Sequence, residues 1–140
     1  MIKKAEDSPP ERMLQMAETP LWTGKKRALF GLPWTFTTYT LTDTCLFIRS
    51  GVFTVREEEI RLYRILDVTL RQSFRERLFG LGTIHLCTSD QSTPEMDIKR
   101  IKHPKEVRTI LSDRAETERS SKLEGMRELM NQAADNGHRD

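Results

Sequence analysis

The feature that most constrains the fold is the run Leu62–Ile84, in which alternating apolar residues give way to arginines and then to glycines. In its first part, Leu66, Val68 and Leu70 recur at every second position. This period is typical of a β-strand with one buried face, because successive side chains of a strand point to opposite sides. The pattern therefore predicts a strand that buries these three side chains together.

Two glycines end the same run. Gly80 and Gly82 follow the arginine-rich residues 72–78 and precede a second strand-like segment that begins at Thr83. Glycine has no Cβ and adopts positive φ at little cost, so such a pair favours a turn. We therefore expect two strands joined by a short basic excursion, with at least one of the two glycines at positive φ.

Shorter alternating segments before and after this run predict further strands. β-Branched and aromatic residues support them, and polar or glycine-containing turns such as Ser50-Gly51 separate them. Together with the strand of the run, they predict a mainly β fold of about seven antiparallel strands. The other six strands are expected at 20–24, 35–42, 44–49, 52–57, 83–88 and 96–101.

The C-terminal part of the chain changes from a strand period to a helix period. Pro104 suits the first position of a helix, where its missing N–H is not needed. Val107, Ile110 and Leu111 then form an i, i+3, i+4 apolar stripe that predicts burial against the sheets. After a polar segment the apolar spacing resumes, and this part is expected to extend into solvent or to dock on a second copy. Its apolar residues are Leu123, Met126 and Met130.

These patterns divide the chain into three parts. Residues 1–18 are polar, contain two adjacent prolines and are predicted to form a flexible N-terminal arm. Residues 19–116 are predicted to form one folded domain, and residues 117–140 a helical extension with a frayed tail. A chain of 140 residues is long enough for one modest core.

Several short motifs occur in one order along residues 20–115. Each is weak alone, but the ordered set resembles the bacterial pleckstrin-homology (PH) domain family of the YdbS-like type. The resemblance implies a PH-like antiparallel β-barrel capped by a C-terminal α-helix, and it implies no enzyme activity. The motifs are Tyr39–Thr42, Glu59–Leu62, Arg64–Val68, Arg77–Ile84 and Ile101–Pro104.

Charge and hydropathy narrow the expected partners and location. The formal net charge of +2 is too small to indicate nucleic-acid binding. No apolar stretch is long enough to span a bilayer, and the residues after Met1 lack the apolar core of a signal peptide. We therefore expect a cytoplasmic protein that meets a membrane, if at all, at its cytoplasmic surface.

The sequence contains no motif that indicates catalysis or a cofactor. It has no phosphate-binding loop, no dinucleotide-binding glycine fingerprint and no serine flanked by the glycines of a nucleophile elbow. His85 and Cys87 are two residues apart and share a strand face, but a metal site needs further ligands and no second pair has the required spacing. The sequence thus predicts no enzyme, no metal site and no bound cofactor.

The segment 25–34 combines cations with aromatic residues and is the first candidate site. Cations attract anionic headgroups, and aromatic side chains suit the membrane interface. In eukaryotic PH domains the loop between the first two strands holds the basic phosphoinositide site, although residues 34–38 here supply no cation on the second strand. The alternative interpretation is that the segment packs on the barrel or on another subunit. The candidate residues are Lys25, Lys26, Arg27, Phe30 and Trp34.

The arginines around the basic excursion form a second candidate site, for an anion or a partner. If residues 73–78 form one helical turn, Phe74 and Leu78 are four residues apart and are expected to face the core. The arginines would then face solvent, either as a binding patch or as the ordinary charged rim of a barrel. They are Arg71, Arg75 and Arg77.

The expected function is a non-enzymatic binding or scaffolding module that associates with itself or with another protein. The first alternative is peripheral binding to anionic membranes through the 25–34 segment, and the second is an uncharacterised small enzyme. Exposure of that segment distinguishes the first two, because membrane binding needs its aromatic side chains free.

Overall fold

The computed structural model describes residues 19–27 and 36–137. The predicted N-terminal arm at 1–18 lies outside these residues, as do the candidate side chains Phe30 and Trp34 and the tail at 138–140. Predictions about these parts of the chain stay predictions.

In the described part of the chain, seven antiparallel strands in two sheets precede a long C-terminal helix, as predicted. The strands are β1 Trp22–Lys25, β2 Thr38–Leu41, β3 Cys45–Ser50, β4 Arg56–Arg61, β5 Ile65–Arg71, β6 Leu81–Thr88 and β7 Glu95–Lys102. The helices are a 3₁₀ turn at Leu62–Arg64, α1 at Phe74–Leu78 and α2 at Pro104–Asn136. The first sheet has the order β1-β2-β3-β4 and the second has the order β5-β6-β7, so within each sheet the paired strands are consecutive in sequence.

The two sheets and the first half of α2 enclose one hydrophobic core. In β6 the even-numbered residues from Gly82 to Thr88 are buried and the odd-numbered ones are half-buried, which is the period of a sheet with one covered face. The other strands also contribute buried side chains to this core, with bulges in β5 and at the pairing of β6 with β7. The largest fully buried side chains include Leu41, Leu46, Leu62, Ile65, Ile84, Leu86, Ile98, Ile101 and Leu111.

The prediction of a strand at 52–57 is wrong, because β4 begins at Arg56 and a turn precedes it. Gly51 has a φ of 107°, and a Cβ at this position would collide with the carbonyl oxygen of Thr54. The turn therefore depends on glycine at its first position. Its apolar side chains lie in solvent rather than in the sheet, and they are Val52, Phe53 and Val55.

The predicted common face of Leu66, Val68 and Leu70 is wrong at Leu66. The pairing of β5 with β6 shifts register between Ile65 and Asp67. A bulge of this kind adds one residue to a strand and changes which side chains face the core before and after it. Ile65 is therefore fully buried and Leu66 is exposed, while Val68 and Leu70 pack against the core as predicted.

The turn before β6 uses its two glycines in different ways. Gly80 has a φ of 68°, which confirms positive φ for one of the pair. Gly82 lies within β6, where a Cβ would come within 2.6 Å of the ring of Pro104. Glycine thus serves the backbone conformation at position 80 and the close approach of α2 at position 82.

Helix α2 begins at Pro104, as predicted, and its two halves differ in burial. Val107 and Leu111 are buried and Ile110 packs partly against the core, which confirms the predicted apolar stripe. Every residue from 120 to 137 is exposed. Among the described residues, no helix combines the length and the apolar content that crossing a bilayer requires.

Candidate functional site

The register of the first sheet brings several connections between strands to one end of the barrel. Lys25 pairs with Thr38, and Thr38 pairs with Arg49. The end of β1, the start of β2 and the end of β3 therefore lie side by side. The 51–55 turn follows β3 at this end of the barrel. The chain after β1 and the 51–55 turn thus leave the first sheet at the same place, and Phe36 and the apolar side chains of the turn are exposed there.

Two hydrogen bonds join β7 to the chain after β1 at this end of the barrel. The Arg27 N–H donates to the Arg100 carbonyl at 2.9 Å, and Arg100 Nε donates to the Arg27 carbonyl at 2.9 Å. Partial burial, followed by the charges of Arg100 and Lys99, lowers the pKa of Lys26 from its ordinary value. The cations of β7 and of the chain after β1 thus share a region of positive potential.

Hydrogen bonds hold helix α1 against β6, close to Arg100, whose charge acts on Glu76 of this helix. Ser73 and Glu76 form a capping box: Ser73 Oγ accepts from the Glu76 N–H at 3.2 Å, and Glu76 Oε2 accepts from the Ser73 N–H at 2.7 Å. The Thr83 hydroxyl donates to the other Glu76 oxygen at 2.7 Å. Partial burial raises the pKa of Glu76, but these hydrogen bonds and the charge of Arg100 outweigh it, so the net shift is downward.

The same contacts determine which side of α1 faces solvent, and the prediction that Phe74 and Leu78 face the core is wrong. Glu76 is two residues from each of them, which on a helix places it on the opposite side. Because Glu76 is bonded to β6, Phe74 and Leu78 project outward with 82% and 71% of their surface exposed. The Ser73-x-x-Glu76 spacing is a capping-box signal that sequence reasoning missed.

We call this part of the structure the basic end. It consists of residues 25–27, Phe36, the 51–55 turn, Arg71 with α1 and Phe79, and residues 99–100. Five of its cations are exposed, and none of the five forms an ion pair with a carboxylate in the part of the chain that the structure describes. They are Lys25, Arg71, Arg75, Arg77 and Lys99.

Large apolar side chains are exposed among these cations. Seven of the thirteen exposed large apolar residues of the described chain belong to the basic end: Phe36, Val52, Phe53, Val55, Phe74, Leu78 and Phe79. Clusters of exposed apolar groups on a folded domain mark surfaces that bind a partner or a membrane. The basic end therefore combines the two kinds of group that an anionic, partly apolar surface would contact.

The structure unites the two candidate sites that the sequence treats separately. Arg100 connects them, since it bonds Arg27 and its charge acts on Glu76 of α1. The 51–55 turn joins the same surface, and sequence reasoning missed it because its valines and phenylalanine are strand-forming residues. Phe30 and Trp34 lie outside the described residues, and their part in the site stays a prediction.

The chain belongs to the bacterial PH domain family. The family model described as "Bacterial PH domain" matches residues 28–115, which is more than half of the chain, and confirms the resemblance seen in the sequence motifs. The two sheets of seven strands and the C-terminal helix are consistent with a PH-like fold. Neither a curated protein nor a solved structure matches the chain. Membership of this family suggests a binding module.

Proposed function

We propose that the protein is a non-enzymatic module that binds anionic membrane surfaces with the basic end of its barrel. The observation that carries the proposal is the exposure of Phe53 and Phe74 at the end that holds cations without acidic partners among the described residues. Each such cation contributes about 1 kcal/mol near an anionic surface. Buried apolar side chains add a contribution that salt does not screen.

The placement of the apolar groups favours a membrane over a folded protein. Phe53 lies in a turn between two strands, and Phe74 lies on α1, which connects two strands of the other sheet. A lipid surface accommodates separate projections because its molecules rearrange around each of them. A stable protein interface instead has a closely packed apolar core surrounded by a polar rim.

Co-sedimentation with phosphatidylcholine vesicles, with and without phosphatidylserine, tests the proposal. We expect binding only to vesicles that contain phosphatidylserine, and weaker binding as salt rises, because the Debye length is only about 8 Å at physiological ionic strength. Replacing Arg75 and Arg77 together by Gln should weaken binding about 30-fold, since two cations contribute about 2 kcal/mol. Phe74→Ala should weaken binding at every salt concentration.

A matched control removes the same charge elsewhere. Replacing Lys122 and Arg127 by Gln changes two cations of α2 that are also exposed, and this variant should keep the affinity of the parent chain. An equal loss in both double variants would mean that net charge, and not the basic end, determines binding. A folded parent chain that does not bind vesicles containing phosphatidylserine would refute the proposal.

The exposed half of α2 supports a second candidate function, self-association with another copy of the chain. Most helical stability in proteins comes from packing an apolar face against a partner. All residues from 120 to 136 are exposed, yet apolar residues recur there with the alternating spacing of three and four that is typical of a coiled-coil seam. They are Leu123, Met126, Met130 and Ala133.

Light scattering during size-exclusion chromatography tests the second candidate. We expect a mass of twice the 16.3 kDa of one chain. Replacing Leu123, Met126 and Met130 by Gln should return the monomer without unfolding the barrel, because these residues lie outside its core. A parent chain that stays monomeric at high concentration would refute it. The Arg75 and Arg77 variant should keep the parent mass, so the two candidates are tested separately.

A further inference from the structure

The outer face of the second sheet carries four side chains of metal-ligating type on two paired strands. His85 and Cys87 are odd-numbered residues of β6 and point away from the core. In the antiparallel pairing with β7, Asp97 lies opposite His85 and Glu95 lies opposite Cys87. The neighbouring strand therefore supplies the ligands that are missing near His85 and Cys87 in the sequence.

Three of these side chains bring their ligand atoms close together. The ligand atoms of His85, Cys87 and Glu95 all lie within 4.8 Å of one another. Cys87 Sγ and His85 Nε2 are 3.7 Å apart. A Zn–S bond of about 2.3 Å and a Zn–N bond of about 2.0–2.1 Å, at a tetrahedral angle, separate sulfur and nitrogen by about 3.6 Å. The observed separation thus fits one shared ion without movement of the strand.

The fourth side chain holds the histidine in the orientation that such a site needs. Asp97 Oδ1 lies 2.7 Å from His85 Nδ1. A carboxylate at this distance keeps the imidazole proton on Nδ1 and leaves the lone pair of Nε2 directed towards Cys87. Metal-bound histidines usually donate their other ring N–H to such a carboxylate. Asp67, opposite Cys87 on β5, adds a further negative charge to this face.

We propose that His85, Cys87 and Glu95 bind one Zn²⁺ ion, with Asp97 as the residue that positions the histidine. One imidazole nitrogen, one thiolate sulfur and one carboxylate oxygen suit Zn²⁺, whereas Mg²⁺ and Ca²⁺ prefer oxygen ligands. When the Zn–S bond forms, the Cys87 thiol releases its proton to solvent. Three protein ligands leave a fourth position for water. The site uses no residue of the basic end, so it is independent of the proposed membrane binding.

Titration of the untagged, reduced full chain with Co²⁺ tests this site, because Co²⁺ occupies Zn²⁺ sites and absorbs light. We expect visible bands of tetrahedral Co²⁺ and a thiolate charge-transfer band in the near ultraviolet, saturating at one ion per chain and abolished by added Zn²⁺. Cys87→Ser should remove the charge-transfer band. Asp97→Asn should weaken Co²⁺ binding about 10–100-fold while keeping the same spectrum, as expected for a residue that acts through the histidine.

The second cysteine gives a matched control. Cys45 is buried in β3, and its thiol contacts Glu59 but no histidine among the described residues. Cys45→Ala should therefore keep both sets of bands, whereas His85→Ala should lose tight binding. Circular dichroism establishes that each variant is folded. A charge-transfer band that persists in folded Cys87→Ser, or a parent chain without one, would overturn the proposal.

Discussion

The two halves of α2 carry similar side chains and meet opposite surroundings. Leu111 in the first half is 0% exposed, and Leu129 in the second is 67% exposed. Arg114 Nη2 lies 3.0 Å from an Asp43 oxygen, whereas Arg127 has no ion pair with a carboxylate of the described chain. Periodicity therefore predicts that a helix has an apolar face, but it does not identify the partner that covers the face.

Charged residues also differ in their partners between two places, the point where α2 leaves the barrel and the basic end. Arg64 is paired with Asp90 at 3.2 Å, and an Arg119 Nη group donates to the carbonyl of Ile65. Arg75 and Arg77 have no such partner in the part of the chain described. Arg64 and Arg119 thus bond to groups of the fold, whereas Arg75 and Arg77 remain available for binding.

The largest effect is expected where α2 is buried. Leu111→Ala removes a fully buried side chain of the hydrophobic core and should lower the free energy of unfolding by about 2–5 kcal/mol. Leu129→Ala changes helix propensity by the same amount but removes an exposed side chain, so its effect should stay within about 0.5 kcal/mol. Urea denaturation of the two variants measures both values. Similar losses would mean that the second half of α2 is also packed.

A smaller effect is expected at the arginines of the two halves. Arg114→Ala removes an ion pair with Asp43 and a hydrogen bond to its carbonyl at 3.2 Å, and should cost about 1–2 kcal/mol because the side chain is only 30% exposed. Arg127→Ala makes the same substitution on the exposed half and should be near neutral. Thermal unfolding of the two variants decides between them, and equal midpoints would contradict the assigned role of Arg114.

Local signals predicted much of this fold from the sequence. Pro104 marks the start of α2, the Val107 and Leu111 spacing marks its buried side, and Gly80 marks a turn at positive φ. Each of these depends on a residue and its near neighbours. Such signals need no knowledge of which strands pair.

The errors arise where a distant contact decides the outcome. Phe74 faces solvent because Glu76 bonds Thr83 on the next strand, and Leu66 is exposed because β5 has a bulge against β6. Likewise, Glu95 lies near Cys87 only through the register of β6 and β7. A single sequence contains no direct record of these pairings, so the candidate sites could be predicted only in part.

The pKa values of the two tyrosines shift in opposite directions. The pKa of Tyr63 reports on the point where α2 leaves the barrel, and that of Tyr39 reports on the core. Arg64 Nε donates to the Tyr63 hydroxyl at 3.3 Å, and this bond, the charge of Arg64 and the charge of Lys122 lower the pKa of Tyr63. Lys122 Nζ lies 5.1 Å from the centre of the Tyr63 ring. Burial instead raises the pKa of Tyr39, although its hydrogen bond from the Lys99 N–H partly offsets this.

The smallest expected effect is a pKa change at this junction. An absorbance titration, assigned with Tyr39→Phe and Tyr63→Phe, should place Tyr63 below and Tyr39 above the ordinary tyrosine pKa of about 10. Because the unfolded chain ionises Tyr39 more readily, this residue should lower stability as the pH rises past about 10, while Tyr63 acts in the opposite sense. Lys122→Ala should raise the pKa of Tyr63 alone, and Arg127→Ala should change neither value. If Lys122→Ala leaves the pKa of Tyr63 unchanged, the exposed half of α2 separates from the barrel before residue 122.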